Sequence, residues 1–238
     1  MKNENETKAD QRERGAAKNT YRKADATRDR ILQAARKVFS EQPYHAASLR
    51  MIAKEGGFDH PLIRYYFPTK AELFEAVVLQ ICGEFYENNV SWLEGLEAML
   101  PAEALPLYID RMFAYHRQNP EGPKIIMQNI AQIDNLNAIP GHNHLYTVFA
   151  QLRLTFQEKI PLRGPTKDID RFFNSFNAVL INYMGASTAH AQVMGMETDS
   201  DRYWRWVRRT VVELYLPWLE RLAFPDGVPQ GGETKSKA

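Results

Sequence analysis

The residue types best suited to chemistry in this chain lie between positions 48 and 70. Arg50 and Arg64 carry guanidinium groups, whose planar fork of N–H donors fits a phosphate or the O6 and N7 edge of guanine. Tyr65 and Tyr66 add hydroxyl groups that can reach phosphate oxygens. Large apolar or aromatic side chains exposed together are typical of a binding surface. This combination favours a surface that binds nucleic acid.

Two short helices separated by a glycine turn are predicted to position these side chains. Ser48 can act as the N-cap of the first helix. Gly56-Gly57 can end it, because glycine adopts the left-handed conformation without steric cost. Asp59 is the predicted cap of the second helix, and Pro61 falls in its first turn, where a missing N–H costs little. Within this second helix, Ile63 and Phe67 are spaced to face inward.

A longer helix is predicted after these two short helices, and another helix is predicted before them. Pro68 ends the second short helix, and Thr69 with Glu72 forms a capping box that begins a helix running to about Trp92. Before the pair, residues 25–41 carry an apolar stripe with helical spacing. The prediction for residues 25–73 is therefore a three-helix, helix-turn-helix DNA-binding domain.

This stretch resembles the DNA-binding domain of the TetR family of bacterial transcriptional regulators. The likeness covers residues 27–73 and includes Ile52-Ala53, Gly57 and the ending Tyr65-Tyr66-Phe67-Pro68-Thr69-Lys70. Pro43, Gly56 and Tyr66 depart from the usual pattern. The resemblance implies that Arg50 and the front of the second helix touch DNA, and that Lys70 and the backbone N–H groups at Thr69 clamp a phosphate at a helix N-terminus. The complete set of DNA-binding candidates is Ser48, Arg50, His60, Pro61, Leu62, Arg64, Tyr65, Tyr66, Thr69 and Lys70. For Arg64 and Tyr66, packing between helices is an equal alternative.

Other chemistries find little support. Cys82 falls on the apolar side of a predicted helix, which favours a small buried hydrophobe over a nucleophile. His142 and His144 could form a metal pair, but no acidic residue or cysteine stands at ligand spacing beside them. No glycine-rich phosphate loop or Gly-x-Ser-x-Gly turn is present. We therefore predict no catalytic residue, no metal and no cofactor.

Composition sets broad limits. Hydrophobic residues make up 44% of the 238 residues and charged residues 25%, which is typical of a soluble globular protein. A single cysteine excludes a disulfide framework and favours a cytoplasmic location. No apolar run approaches the ~20 residues that span a bilayer. The first 80 residues hold 15 Lys and Arg against 11 Asp and Glu, and the others hold 15 against 18. The basic excess lies with the helix-turn-helix.

Beyond residue 73 the patterns remain helical, so the predicted class is all-α, with a second helical domain over residues 74–223 and polar tails over 1–24 and 224–238. Helices are predicted from Pro101 and over 125–135, 144–160, 168–194 and 199–223. The last two are apolar on more than one face. In the TetR family such a pair joins that of a second subunit, which implies a homodimer. The candidate interface residues are Phe172, Val179, Tyr183, Ser187, Trp204, Val207, Val211 and Leu214. Burial within one subunit is the alternative.

The same resemblance implies that the second domain encloses a small-molecule effector. Residues of suitable type are Phe113, His116, Met127, Phe149, Phe156, Phe176, Asn177 and Tyr183, although the same composition is typical of a core. The sequence thus predicts a homodimeric repressor that binds a palindromic, double-stranded operator and leaves it when a largely apolar effector binds. One alternative is a DNA-binding regulator without inducer, acting as an activator or architectural partner. The other is a helical enzyme or lipid carrier.

Overall fold

The computed structural model describes residues 24–130 and 139–227, and all regular structure within them is helical. The all-α prediction is confirmed. Packing divides the chain into an N-terminal unit, Met1–Val77, and a C-terminal unit, Val78–Ala238. The division falls four residues beyond the boundary expected from the sequence. Of the predicted tails, residues 1–23 and 228–238 lie outside the described residues.

Three helices and the start of a fourth make up the N-terminal unit. They are α1 over residues 24–41, α2 over Leu49–Gly56, α3 over His60–Tyr66, and α4 over Lys70–Trp92. Their shared core is completely or almost completely buried and consists of Ile31, Ala35, Phe39, Ile52, Ile63, Phe67, Leu73 and Phe74. The rings of Phe39 and Phe74 meet edge to face at 4.8 Å, an arrangement that stabilises aromatic pairs.

Local caps fix these helix ends. The Ser48 hydroxyl accepts a hydrogen bond from the Met51 N–H, and Gly57 ends α2 with a φ of 65°. The Thr69 hydroxyl accepts from the Glu72 N–H at 3.1 Å and donates to the Glu72 carboxylate at 2.9 Å. Asp59 occupies the N-cap position of α3, but its side chain makes no capping hydrogen bond. The expectation that this carboxylate caps the helix was therefore wrong.

Further helices complete the C-terminal unit after α4. Their bounds are Pro101–Gln118 (α5), Glu121–Ile130 (α6), His142–Lys159 (α7), Thr166–Gly185 (α8), Ser187–Val193 (α9) and Asp201–Ala223 (α10). A 3-10 turn, Leu96–Ala98, precedes α5. The core is built mainly from α5, α8 and α10, where aromatic side chains of α8 and α10 pack against each other. No described helix is long and apolar enough to cross a membrane.

Two helix predictions need correction. The helix expected over 168–194 is divided, because α8 ends at Gly185 and α9 begins at Ser187. At Gly185, a Cβ atom would lie 2.8 Å from the carbonyl oxygen of Pro123, so close packing of the α6 backbone requires glycine at this position. The helix expected from residue 125 begins earlier, at Glu121, since Pro123 fits within its first turn. The end expected at residue 135 lies outside the described residues.

Candidate DNA-binding surface and ligand cavity

Helix α3 has one inward and one outward face. Ile63 and Phe67 are buried, as their spacing predicted. Leu62, Arg64 and Tyr65 are exposed, with Tyr65 at 80%. Ile63 is the buried residue within the seven-residue helix, and Phe67 follows as its C-cap residue. The exposed side chains of α3 are therefore free to enter a groove, which is how a recognition helix works.

The other α3 candidates differ in exposure. Pro61 is exposed, while His60 and Tyr66 are half-buried. The rings of Tyr65 and Tyr66 meet edge to face at 5.2 Å, so Tyr66 packs against its neighbour. The exposure of Arg64 favours the contact interpretation over packing between helices.

Helix α2 adds Arg50, which is exposed and has no ion-pair partner in the described part of the chain. Lys54 and Met51 are exposed on the same helix, and the sequence argument did not single out either one. Ser48 is half-buried and its hydroxyl oxygen is used by the helix cap. Its hydroxyl hydrogen remains available as a donor to phosphate.

Lys70 is held inside the N-terminal unit. Its ammonium group donates to the carbonyl oxygens of Tyr44 at 2.7 Å and Ala47 at 3.0 Å, and it lies 4.4 Å from the centre of the Tyr44 ring. Burial lowers the pKa of Lys70. Two of its three N–H donors are thus used to secure the loop between α1 and α2. The phosphate roles expected of Lys70 and of the backbone N–H groups at Thr69 stay predictions.

The C-terminal unit contains a cavity of about 290 Å³. It lies among the end of α4, the 3-10 turn, the start of α5, the end of α7, the middle of α8 and the end of α10. Its lining is largely apolar and includes Leu93, Leu96, Leu100, Leu105, Phe156, Leu162, Phe172, Phe173, Phe176 and Leu219. An apolar cavity of this size with a few polar groups is typical of a small-molecule site.

A polar pair interrupts the apolar lining. The Asn89 side-chain amide donates to the Tyr108 hydroxyl at 2.7 Å, and both residues line the cavity. Burial raises the pKa of Tyr108 to about 12, against the opposing effect of the Asn89 hydrogen bond. The phenol therefore stays protonated at neutral pH and can donate to a ligand carbonyl or hydroxyl. Sequence reasoning missed this pair, because the two residues belong to different helices.

The predicted ligand residues divide into two groups. Phe156, Phe176 and Asn177 line the cavity. The other five do not line it, and their role as ligand residues stays a prediction: Phe113, His116, Met127, Phe149 and Tyr183. Phe113 and His116 instead pack against Trp204, with ring centroids 4.9 and 5.2 Å away. They belong to the core, which was the alternative interpretation.

His116 is an unusual core residue. It is 3% exposed, and its Nδ1 atom has no hydrogen-bond partner among the described residues. Burial lowers the pKa of His116 to about 4; the charge of Asp199 opposes this shift in part, and the charge of Lys124 adds to it. The Trp204 Nε1 and Ser187 Oγ atoms are also buried without partners in the described residues. Near pH 7 the imidazole is therefore neutral.

The predicted dimer residues also divide. Phe172, Ser187, Trp204, Val207 and Val211 are at most 5% exposed within the single chain. Their surface is used by their own subunit, so these five assignments are corrected to core residues. Leu214 is 60% exposed, while Val179 and Tyr183 are half-buried. These three side chains retain surface that a second subunit could cover.

The histidines considered for metal binding lie in the first turn of α7, where His142 Nδ1 is 3.0 Å from the Ile139 carbonyl oxygen. Within the described residues no group of three or more His, Cys, Asp or Glu side chains could hold a metal ion. Cys82 is buried, and burial raises the pKa of its thiol to about 12.

The described residues thus contain a capped helix-turn-helix with an exposed second helix, and a second unit that is all-helical. Residues 31–77 match the family model described as bacterial regulatory proteins, tetR family. Over this stretch the chain is similar to the TetR family of bacterial regulatory proteins.

Two curated relatives are similar to this chain in sequence. The HTH-type transcriptional repressor NicS of Pseudomonas putida is 31% identical over 125 residues, covering 50% of this chain and 58% of that protein. The regulator RutR of Escherichia coli is 30% identical over 118 residues, covering 47% and 52%. The chain thus spans between half and three fifths of the length of these two relatives.

Solved structures extend the likeness in fold. A tetR-family transcriptional regulator from Streptomyces coelicolor has a TM-score of 0.59 at 14% identity, covering 84% of this chain and 83% of that one. FadR from Bacillus subtilis, in complex with stearoyl-CoA, has a TM-score of 0.59 at 19% identity, covering 79% and 96%. Identities this low establish the shared fold alone.

Proposed function

We propose that this protein is a homodimeric, cytoplasmic TetR-type repressor that binds a palindromic DNA operator and is released by a small, largely apolar effector. The observation that carries the proposal is the exposed face of α3, with Leu62, Arg64 and Tyr65 directed to solvent on a helix anchored by two buried residues. The family match over residues 31–77 supports it, as does the name of NicS, a repressor. No catalytic role and no cofactor are proposed.

The proposed dimer uses α8 and α10. Val179, Tyr183 and Leu214 are the predicted interface residues that keep exposed surface. Two-fold symmetry then presents two α3 helices to one face of DNA, and the operator consists of two half-sites about one helical turn, ~34 Å, apart.

The proposed effector occupies the cavity of the C-terminal unit. Asn89 in the last turn of α4 and Leu93 just beyond its end line it, and α4 begins at Lys70, directly after the helix-turn-helix. The effector binds more tightly to a conformation in which these residues have moved. Because α4 directly follows α3, that movement shifts the protein away from its DNA-binding conformation. FadR from Bacillus subtilis, which is similar in fold, was solved in complex with stearoyl-CoA, and this supports a small-molecule effector for the present chain.

Binding to DNA from around the protein's own coding region, at two salt concentrations, tests the proposal. Sharp protection of one palindromic site is expected. A regulator with 6–10 phosphate contacts loses about 10³–10⁵ in affinity between 50 and 200 mM salt. Weak and uniform binding to all DNA in that region would contradict a local operator.

The second arm tests release. A compound that binds the cavity should lower operator affinity, and unchanged affinity with the ligand bound would favour the alternative of a regulator without inducer. The presence of a cavity with a polar pair weighs against that alternative, for which a filled core is expected.

A further inference from the structure

A second concave surface adjoins the cavity of the C-terminal unit. This open groove is lined by Arg163, Arg171, Arg221, Asp168 and Trp218, among others. Arg163 and Leu222 belong to the groove, and Arg163 also lines the apolar cavity. One side chain therefore lies at the boundary between an apolar space and a strongly basic one.

The groove has an excess of positive charge. Among the described residues, Asp168 forms an ion pair with Arg171 alone, at 3.4 Å. Arg163 and Arg221 are exposed, and their guanidinium groups have no hydrogen-bond or ion-pair partner in the part of the chain that the structure describes. Three guanidinium groups thus face a single carboxylate, which leaves two positive charges. Guanidinium forks bind phosphate in a bidentate manner.

The loop that carries Arg163 is held firmly in place. The backbone N–H groups of Arg163 and Gly164 both donate to the Leu222 carbonyl oxygen, at 2.8 and 3.0 Å. A Cβ atom at Gly164 would lie 2.5 Å from Leu222 Cδ2, so a larger residue there would require the Leu222 side chain to shift. These two hydrogen bonds fix the backbone of Arg163 at the boundary between the cavity and the groove.

We propose that the cavity and the groove form one site for an amphipathic molecule: an acyl or aryl body in the cavity and a phosphate-bearing head on Arg163, Arg171 and Arg221. A phosphate monoester carries a charge of about −1.5 to −2 at neutral pH, which matches the excess, whereas a carboxylate supplies only one charge. A cavity of about 290 Å³ lies at the lower end of the range of small-molecule sites, so a short body is expected, and an eight-carbon chain serves as its probe. This inference rests on the proposed function, since it names the chemical class of the effector.

Calorimetric binding of three eight-carbon probes to the full-length protein tests the proposal. The probes are 1-octanol, octanoate and octyl phosphate, which share a chain and differ in head-group charge. Octyl phosphate is expected to bind at least about tenfold more tightly than octanol, with octanoate between them, because each charge-assisted contact strengthens binding. Equal affinities for all three, or no binding of octyl phosphate, would overturn the proposal.

Two variants locate the effect. Arg163→Gln combined with Arg221→Gln should bring octyl phosphate to within about threefold of octanol, while octanol binding is retained. Both arginines are exposed, so their replacement has little effect on folding. The matched control is Arg202→Gln, an exposed arginine 19 residues earlier on α10 and about 28 Å away along the helix. It should keep the preference for octyl phosphate. A preference that survives in the double variant contradicts the assignment of the groove.

A further arm identifies the source of the phosphate. Octanoyl-CoA that binds more tightly than octyl phosphate indicates a nucleotide-bearing head, and the opposite order indicates a simple phosphate ester. Coenzyme A and inorganic phosphate alone should bind weakly, because neither fills the cavity. Operator binding by the same ligand-free sample is measured in parallel. If octyl phosphate binds selectively but no operator is found, the proposed function is contradicted and this inference is not. If an operator is bound but octyl phosphate is not preferred, this inference is contradicted and the proposed function is not.

Discussion

The two units of this protein expose their candidate functional side chains in opposite ways. In the N-terminal unit, Leu62, Arg64 and Tyr65 lie on the surface of α3, and different residues, Ile63 and Phe67, hold the helix in place. In the C-terminal unit, Phe172 and Phe176 are at once core residues and cavity walls. Binding and stability should therefore be separable in the first unit and coupled in the second.

The largest expected effect is a loss of DNA binding without a loss of stability in the N-terminal unit. Arg50→Ala with Tyr65→Ala should lower operator affinity at least about a thousandfold, because each lost contact costs about 1–3 kcal/mol and a dimer loses four. Thermal stability should change little, since both side chains are exposed. The matched control is Arg202→Ala with Tyr146→Ala, an exposed pair in the C-terminal unit. Gel-shift titration and thermal melts measure both quantities, and insensitive DNA binding would favour an incidental helix-turn-helix.

Core aromatics of the C-terminal unit should show the opposite behaviour. Phe176→Ala and Phe113→Ala are each expected to lower the free energy of unfolding by about 3–5 kcal/mol, because both rings are buried. Only Phe176 lines the cavity, so only Phe176→Ala should also change the affinity for an eight-carbon probe. Denaturant titration and calorimetry give the two numbers. A Phe113→Ala variant that loses probe binding while folded would reinstate Phe113 as a ligand residue.

Acid should weaken the C-terminal unit through His116. Its pKa is about 4 in the folded protein, against an unperturbed value of about 6.5. The unfolded state therefore binds more protons between these values, and stability is lost as the pH falls from 6.5 to 4. The loss is on the order of 3 kcal/mol at most. His116→Leu should flatten this part of the pH profile of chemical unfolding, and an unaltered profile would show that other groups cause the acid sensitivity.

The smallest expected effect on DNA binding concerns Lys70, which was predicted to contact DNA but is hydrogen-bonded inside the N-terminal unit. Lys70→Met removes the bonds to Tyr44 and Ala47 and should cost about 2 kcal/mol of stability. If the role of Lys70 is internal, the salt dependence of operator binding stays as in the wild type. A phosphate contact in each subunit would instead reduce the slope of log K against log salt by about 2.

Much of the N-terminal unit could be predicted because its signals are local. The cap at Ser48, the left-handed Gly57 and the Thr69–Glu72 pair each act over three or four residues, so the sequence alone contains both partners. The two inward residues of α3 also follow from helical spacing. Asp59 shows the limit, since a residue of the right type occupies the cap position without making the bond.

In the C-terminal unit the sequence determined that the elements are helices and which side chains are apolar. It could not determine which apolar side chains border an empty space, since core and cavity wall have the same composition. Asn89 meets Tyr108 across 19 residues, and Arg163 is positioned by Leu222, 59 residues later in the chain. The burial of Trp204 and Val207 against their own subunit was likewise decided by packing. These facts belong to the tertiary structure, because they depend on where distant helices meet and not on any periodicity within one helix.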